Sequence, residues 1–179
     1  VTVVSTPHGI GQLAPLLSAM HTYRVQVAPG GIAQALACAD DGSGESVAVI
    51  LGDNMFLPSP VIDHNWTSTH CFLHESKVHD LRQFGVPMFI GNNIIEIVEK
   101  PMIAPSPYVV TGLYVFDSGV FDKISMLDLS GRGEYEITDL LNLYARNDAL
   151  SFAILDGFWG DAGTPDGLLK CAISAKRTL

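Results

Sequence analysis

The segment that most restricts the fold is Ser46-Val47-Ala48-Val49-Ile50-Leu51, almost wholly apolar and too short for a helix. A short run without polar alternation suits a strand buried on both faces, and such strands belong to parallel sheets covered by helices. The run stops at Gly52-Asp53-Asn54, a turn signature. The preceding residues fit the same plan. Val1–Val4 is a β-branched run closed by Ser5-Thr6-Pro7. Ile10–Met20 carries Leu13, Leu16, Leu17 and Met20 at helical spacing. Tyr23–Val27 predicts a second strand, broken by Pro29-Gly30-Gly31, and Ile32–Ala39 predicts a helix. This alternation predicts an α/β fold, a doubly wound, mostly parallel sheet of Rossmann-like type. Ligands of such sheets bind at the carboxyl ends of the strands, where Gln26 to Gly31 and Gly52 to Asn54 both lie.

The second half predicts strands at Cys71–Val78 and Ile94–Glu99 flanking a Phe84-Gly85-Val86-Pro87 turn, and a long strand at Tyr108–Phe116. Ile137, Leu140, Leu141 and Tyr144 repeat the helical stripe, so Glu136–Arg146 is expected to be an amphipathic helix. Ser151–Leu155 predicts a strand leading into Trp159-Gly160-Asp161-Ala162-Gly163-Thr164. Thr164 followed by Pro165 reads as an N-cap and first helical residue, opening a last helix through Ala175. The 179 residues are enough for one domain with a real core and hardly enough for two, so one domain over residues 1–179 is expected.

Composition narrows the partners. A net charge of −9 argues against nucleic acid, which needs a basic face. An anion could still be met locally by backbone N–H groups, a few cations and a divalent metal. Cys38, Cys71 and Cys171 show no paired spacing, as expected of reduced thiols in a cytoplasmic protein without structural zinc. No apolar run is long enough to span a membrane, and Val1-Thr2-Val3-Val4 lacks the charged start of a signal peptide.

Several positions carry candidate chemistry. Asp53 and Asp161 each follow a strand, where carboxylates face the ligand crevice and suit Mg²⁺. A single Asp in such a turn can equally serve its own backbone. Gly30-Gly31 ahead of a helix lets a ligand approach the backbone and the free helix N–H groups, or supplies a turn with positive φ. Glu99-Lys100 offers an acceptor for hydroxyls and a cation for phosphate, or a solvated ion pair. His8, His21, His64, His70, His74 and His79 have no metal-ligand spacing, and Trp66 and Trp159 read as packing residues.

Together Leu51-Gly52-Asp53-Asn54, Glu99-Lys100-Pro101, Val110-Thr111-Gly112-Leu113-Tyr114, Gly131 to Asp139 and Trp159 to Thr164 occur in an order that resembles the glucose-1-phosphate thymidylyltransferases, a branch of the sugar-1-phosphate nucleotidyltransferases. Gly31-Ile32-Ala33-Gln34-Ala35-Leu36 adds a sixth match. The resemblance implies the nucleotide-diphospho-sugar transferase fold. It also implies formation of an NDP-sugar, dTDP-glucose foremost, and pyrophosphate from an NTP (dTTP or UTP) and a sugar 1-phosphate. Carried over by motif, Gln26 and the Gly31 backbone resemble readers of the pyrimidine base, and Asp53 and Asp161 resemble the ligands of a catalytic Mg²⁺. Gly85, Glu99 and Val110 resemble sugar-contacting positions, and Lys100 resembles the phosphate-contacting lysine. The family also implies homo-oligomers. Its opening strand and arginine-bearing Gly-rich loop have no match here. Val1 falls where the family's second strand would start, and Val27 stands where a proline is frequent. A chain without that loop could be a truncated, non-catalytic nucleotide-sugar binding module or a remnant of that family.

Overall fold

The computed structural model describes residues 1–17, 19–62, 66–76 and 81–178. Strand β1 (Thr2–Ser5) passes through helix α1 (Pro7–Leu13) to β2 (Thr22–Val25), which pairs with it in parallel, Val3 opposite Tyr23. Helix α2 (Ile32–Cys38) leads to β3 (Val47–Ile50) and, after a tight turn, to β4 (Asn54–Leu57). Then come β5 (Thr69–Glu75), the hairpin β6 (Gly85–Ile90) and β7 (Asn93–Glu99), and the long β8 (Tyr108–Phe116). Helices α3 (Val120–Ile124) and α4 (Ile137–Ala145) precede β9 (Leu150–Ile154), β10 (Phe158–Asp161) and α5 (Pro165–Thr178).

The largest sheet has the order β3-β8-β5-β9. Its strands β3, β5 and β9 point one way, and β8 alone runs against them, antiparallel to β3 and β5. With the parallel pair β1–β2 this is a mixed α/β fold with a mostly parallel central sheet, although the ladders β3–β8, β5–β8, β4–β10 and β6–β7 are antiparallel. The main core lies where α4 covers β5, β7 and β8. Leu140, Leu141 and Tyr144 of its predicted stripe are fully buried, and Ile137 nearly so. Buried Asn142 on the same helix completes the edge of β7, accepting Ile97 N–H at 2.7 Å and donating to the Ile97 carbonyl at 2.9 Å. A buried amide with both ends paired costs little, whereas an unpaired one costs about 1–3 kcal/mol. Among the described residues no helix is long and apolar enough to cross a membrane.

Three expectations need correction. The first helix is Pro7–Leu13, not Ile10–Met20. Thr6 caps it by accepting Gly9 N–H at 3.1 Å, Pro7 opens it, and it stops before Pro15, which has no N–H to continue it. Leu16 and Met20 are 81% and 90% exposed, so the periodic stripe there faces solvent rather than core. Among the described residues strand β3 pairs with β8 alone, antiparallel, and Ile50 is 58% exposed, although its apolar sequence predicted burial on both faces. Phe84 to Pro87 is not a turn. Gly85 begins β6 opposite Glu99, and the reversal sits at Gly91, whose φ of +58 favours glycine. The antiparallel ladder of β4 and β10 answers to no expectation, since neither segment alternates in sequence. The predicted end of the Cys71 strand, Val78, lies outside the described residues, as do His64 and His79.

Candidate active site

Asp53 sits in a turn tied at both ends. Leu51 N–H donates to the Gly112 carbonyl at 2.9 Å, and Asn54 N–H to the Leu51 carbonyl at 3.1 Å. The ladder between β4 and β10 then sets Asp161 opposite Asn54, and Ala162 N–H binds the Asp53 carbonyl at 2.7 Å. The two carboxylates therefore meet across Gly163. A Cβ on Gly163 would stand 3.0 Å from Asp161 Oδ1 and 3.1 Å from Asp53 Oδ2, so these oxygens are at most 6.1 Å apart, the sum of the two distances. The gap at Gly163 thus receives two oxygen donors from separate strands. Hard oxygen donors fit Mg²⁺, which takes one or two carboxylates and completes its shell with water and phosphate oxygens. Among the described residues no group of three or more His, Cys, Asp or Glu could hold a metal, so a cation at this pair would have two protein carboxylates as its ligands.

Gln26 follows β2, and its Nε2 donates to the Gly31 carbonyl at 3.1 Å and to Gln34 Oε1 at 2.9 Å. This leaves its carboxamide oxygen unclaimed by those bonds. Gly31 precedes α2 with φ +95, and the Gly30 carbonyl next to it is held by Tyr135 N–H at 2.8 Å.

Glu99, in the same cavity as Asp53 and Asp161, closes β7. Its Oε2 accepts Thr138 Oγ1–H at 2.6 Å, and its Oε1 lies 3.3 Å from Arg132 and 3.8 Å from Lys100. Lys100 takes φ +45, a left-handed backbone unusual for a side chain with a Cβ, anchored by its N–H on the Phe84 carbonyl at 3.1 Å. Arg132 also binds Glu136 through Nε at 3.0 Å and Nη2 at 2.7 Å. Burial alone would raise the Glu136 carboxyl, but hydrogen bonds from Arg132 and Ser130 outweigh it and hold the group below its usual range. Asp139 goes the other way, raised by burial and then by the charge of Glu136.

All eight site residues expected from the sequence, Gln26, Gly31, Asp53, Gly85, Glu99, Lys100, Val110 and Asp161, line one cavity of about 540 Å³. Sequence reasoning gave no role to Arg132, Thr138, Asn54 or Trp159, which line it too. All four lie inside the motifs named above, and the contacts of Arg132 and Thr138 with Glu99 and of Trp159 with Asn54 depend on tertiary structure. Trp159 packs as expected, edge-on to Phe84 with centroids 5.0 Å apart, and its indole also reaches Asn54. Trp66 is a packing residue, stacked on His70 and Phe72.

Fold and cleft together define an α/β protein of the nucleotide-diphospho-sugar transferase type. The structure aligns over 97% of its length with 75% of a Bacillus anthracis protein assigned as a glucose-1-phosphate thymidylyltransferase and crystallised with sucrose, at TM-score 0.83 and 35% identity. It aligns over 98% with 74% of a UDP-glucose pyrophosphorylase complexed with UDP-glucose, at TM-score 0.76 and 20% identity, a likeness of fold. Residues 9–177 match the nucleotidyl transferase family, and the chain belongs to it. Among curated relatives, the glucose-1-phosphate thymidylyltransferase of Neisseria gonorrhoeae is 37% identical over 158 residues, 84% of this chain and 55% of that protein. A Haloferax volcanii low-salt glycan biosynthesis nucleotidyltransferase is 35% identical over 156 residues, 83% of this chain and 43% of that protein. The chain spans about half the length of the curated relatives it matches.

Proposed function

We propose that the chain is the nucleotidyl-transfer domain of an enzyme that joins an NTP to a sugar 1-phosphate, giving an NDP-sugar and pyrophosphate, with dTTP and glucose 1-phosphate as the favoured pair. The observation that carries this reading is the convergence of an amide, two facing carboxylates and a lysine–arginine pair on one cavity.

A phosphate oxygen of the sugar 1-phosphate attacks the α-phosphorus of the NTP, the bond to the β-phosphate oxygen breaks, and pyrophosphate leaves with that electron pair. Neither an oxidant nor a nucleophilic side chain is required, so the domain acts by positioning and charge neutralisation. Gln26 offers its free carboxamide oxygen to a pyrimidine edge at the Gly31 end. Glu99, fixed by Thr138, accepts sugar hydroxyls beside the Gly85 and Val110 backbones. Lys100 neutralises the sugar phosphate. The cavity lining carries five carboxylates against the two cations Lys100 and Arg132, too little positive charge for two phosphorylated substrates. A divalent cation held by Asp53 and Asp161 would supply the missing charge and orient the α-phosphate.

A second reading, a nucleotide-sugar binding module without turnover, is favoured by the same scarcity of cations. Pyrophosphate release from dTTP or UTP with glucose 1-phosphate and Mg²⁺ separates the two. The 179-residue chain should bind dTDP-glucose weakly and turn over slowly, because among the described residues Lys100 and Arg132 are the only cations lining the cavity and each charge left unstabilised costs about 2.7–4 kcal/mol in the transition state. Turnover abolished by Asp53→Asn establishes the enzyme. Binding without turnover establishes the module, and neither activity in folded protein refutes both.

A further inference from the structure

Three segments far apart in the chain meet at the carboxamide of Asn54. Its Oδ1 accepts Gly112 N–H at 2.9 Å and the indole Nε1–H of Trp159 at 2.7 Å. Both partners can only donate, so the atom between them is oxygen and the amide NH₂ must face the other way. There it donates to Asp53 Oδ1 at 2.9 Å. The carboxamide lies flat on Gly112, where a Cβ would come within 2.7 Å of Asn54 Cγ and Oδ1. Trp159 is itself held by Phe84, by His74 at 5.7 Å between ring centroids, and by its ladder position opposite Phe56. No freedom remains for the amide to flip without leaving two N–H groups unpaired.

One oxygen of Asp53 is thereby occupied. The other, Oδ2, is the one that faces Gly163 and Asp161. We propose that Asn54 is a positioning residue that fixes which oxygen of Asp53 is presented to a divalent cation, and that the Trp159 indole sets the direction of its amide. This rests on the reading above that Asp53 and Asp161 hold the metal. The two tryptophan neighbours and Gly112 thus serve the same carboxylate through one side chain.

The test titrates Mn²⁺ into the 179-residue chain and follows free Mn²⁺ by electron paramagnetic resonance, with circular dichroism confirming the fold of each variant. Outer-shell partners of metal ligands are worth about 10–100-fold in affinity, and at this exposed pair Asn54→Ala should weaken Mn²⁺ binding by about tenfold. Trp159→Phe keeps the ring and loses only the donor, and should weaken binding about two- to fivefold, the worth of one neutral hydrogen bond. It also serves if Asn54→Ala does not fold. A spectroscopic signature separates positioning from packing. Diamagnetic Mg²⁺ should shift the indole N–H resonance of Trp159, identified by its loss in Trp159→Phe, and the shift should shrink in Asn54→Ala. Mn²⁺ affinities of both variants equal to the parent, while Asp53→Asn binds less, would overturn the inference and leave the metal reading standing. An Mg²⁺ shift undiminished in Asn54→Ala would overturn it as well. Mn²⁺ binding that is absent, or indifferent to Asp53→Asn, would remove the metal reading and this inference with it.

Discussion

Gly31 separates a position that has to be glycine from its neighbour, which does not. Its φ of +95 with ψ 170 is a region nearly closed to residues with a side chain, and holding one there costs about 1–3 kcal/mol. A Cβ would also collide with the Tyr135 carbonyl oxygen and stand 2.9 Å from Tyr135 N and C. Tyr135 cannot simply withdraw. Its N–H binds the Gly30 carbonyl at 2.8 Å and its carbonyl accepts Ala33 N–H at 3.2 Å. Retreat forfeits both bonds, each worth about 0.5–1.5 kcal/mol net.

Together the strain and the two bonds make Gly31→Ala destabilising by about 4 kcal/mol, a large part of the 5–15 kcal/mol that typically holds a domain together. Equilibrium urea unfolding with a slope near 2 kcal/mol/M should show the midpoint falling by about 2 M. Gly30→Ala is the control. Its Cβ meets only the carboxamide of Gln34, the far end of a flexible side chain, so it should cost under about 1 kcal/mol, the worth of an off-rotamer adjustment. It should still disturb Gln26, whose Nε2 would lose its 2.9 Å partner. A Gly31→Ala midpoint within about 0.3 M of the parent, or equal losses in the two variants, would refute the reasoning.

Other consequences are open to direct measurement. Gly163→Ala places a methyl at 3.0 and 3.1 Å from the two aspartate oxygens, so Mn²⁺ binding should weaken on the order of tenfold while the urea midpoint stays close to the parent's. Glu136 is held below its unfolded value of 4.5, so its contribution to stability is present above pH 4.5 and is lost as pH falls through the lowered folded value. Urea midpoints of Glu136→Gln should therefore fall less steeply than the parent's below pH 4.5. Asp139 has the opposite sign: its folded value is raised above 3.8, its contribution is lost as pH rises through that value, and Asp139→Asn should gain stability at pH 7. Of the three cysteines, Cys71 is fully buried with its thiol pushed up to about 12 by burial, and Cys171 is raised by burial and then by Asp161. Native protein should react with Ellman's reagent at Cys38 alone, and Cys38→Ser should abolish the reaction.

What the sequence reveals and what it hides divide along one physical line. Local signals were legible: the stripe Ile137, Leu140, Leu141, Tyr144 is the buried face of α4, and Thr164 does cap α5 by accepting Gly167 N–H at 3.1 Å. Glycine turns and acids at strand ends marked Gly31, Asp53 and Asp161 as candidates within a few residues, whereas Gln26, Gly85 and Val110 came only from the family resemblance. Signals that depend on what lies opposite were not legible. Val47–Ile50 has the composition of a central strand, yet among the described residues it pairs with β8 alone. Leu13, Leu16, Leu17 and Met20 keep helical spacing, yet Pro15 interrupts the helix that would have used it.

The aspartate pair shows the division most clearly. Asn54-Met55-Phe56-Leu57 and Phe158-Trp159-Gly160-Asp161 have no period of two, so neither reads as a strand. Their ladder is nonetheless what turns two separate acids into one pair of facing oxygens. Its register sets Asp161 opposite Asn54, and the indole of Trp159 reaches the Asn54 amide from 105 residues away. A slip of one residue would send Asp161 and Trp159 to the opposite faces of β10 and leave Asp53 without its counterpart. The indole and the Gly112 N–H, both obligate donors on one oxygen, therefore guard the register as well as the amide. Packing and site geometry rest on the same few hydrogen bonds: strand ends and the family resemblance set Asp53 and Asp161 on one crevice, whereas the ladder that brings them face to face has no signal of its own in the sequence.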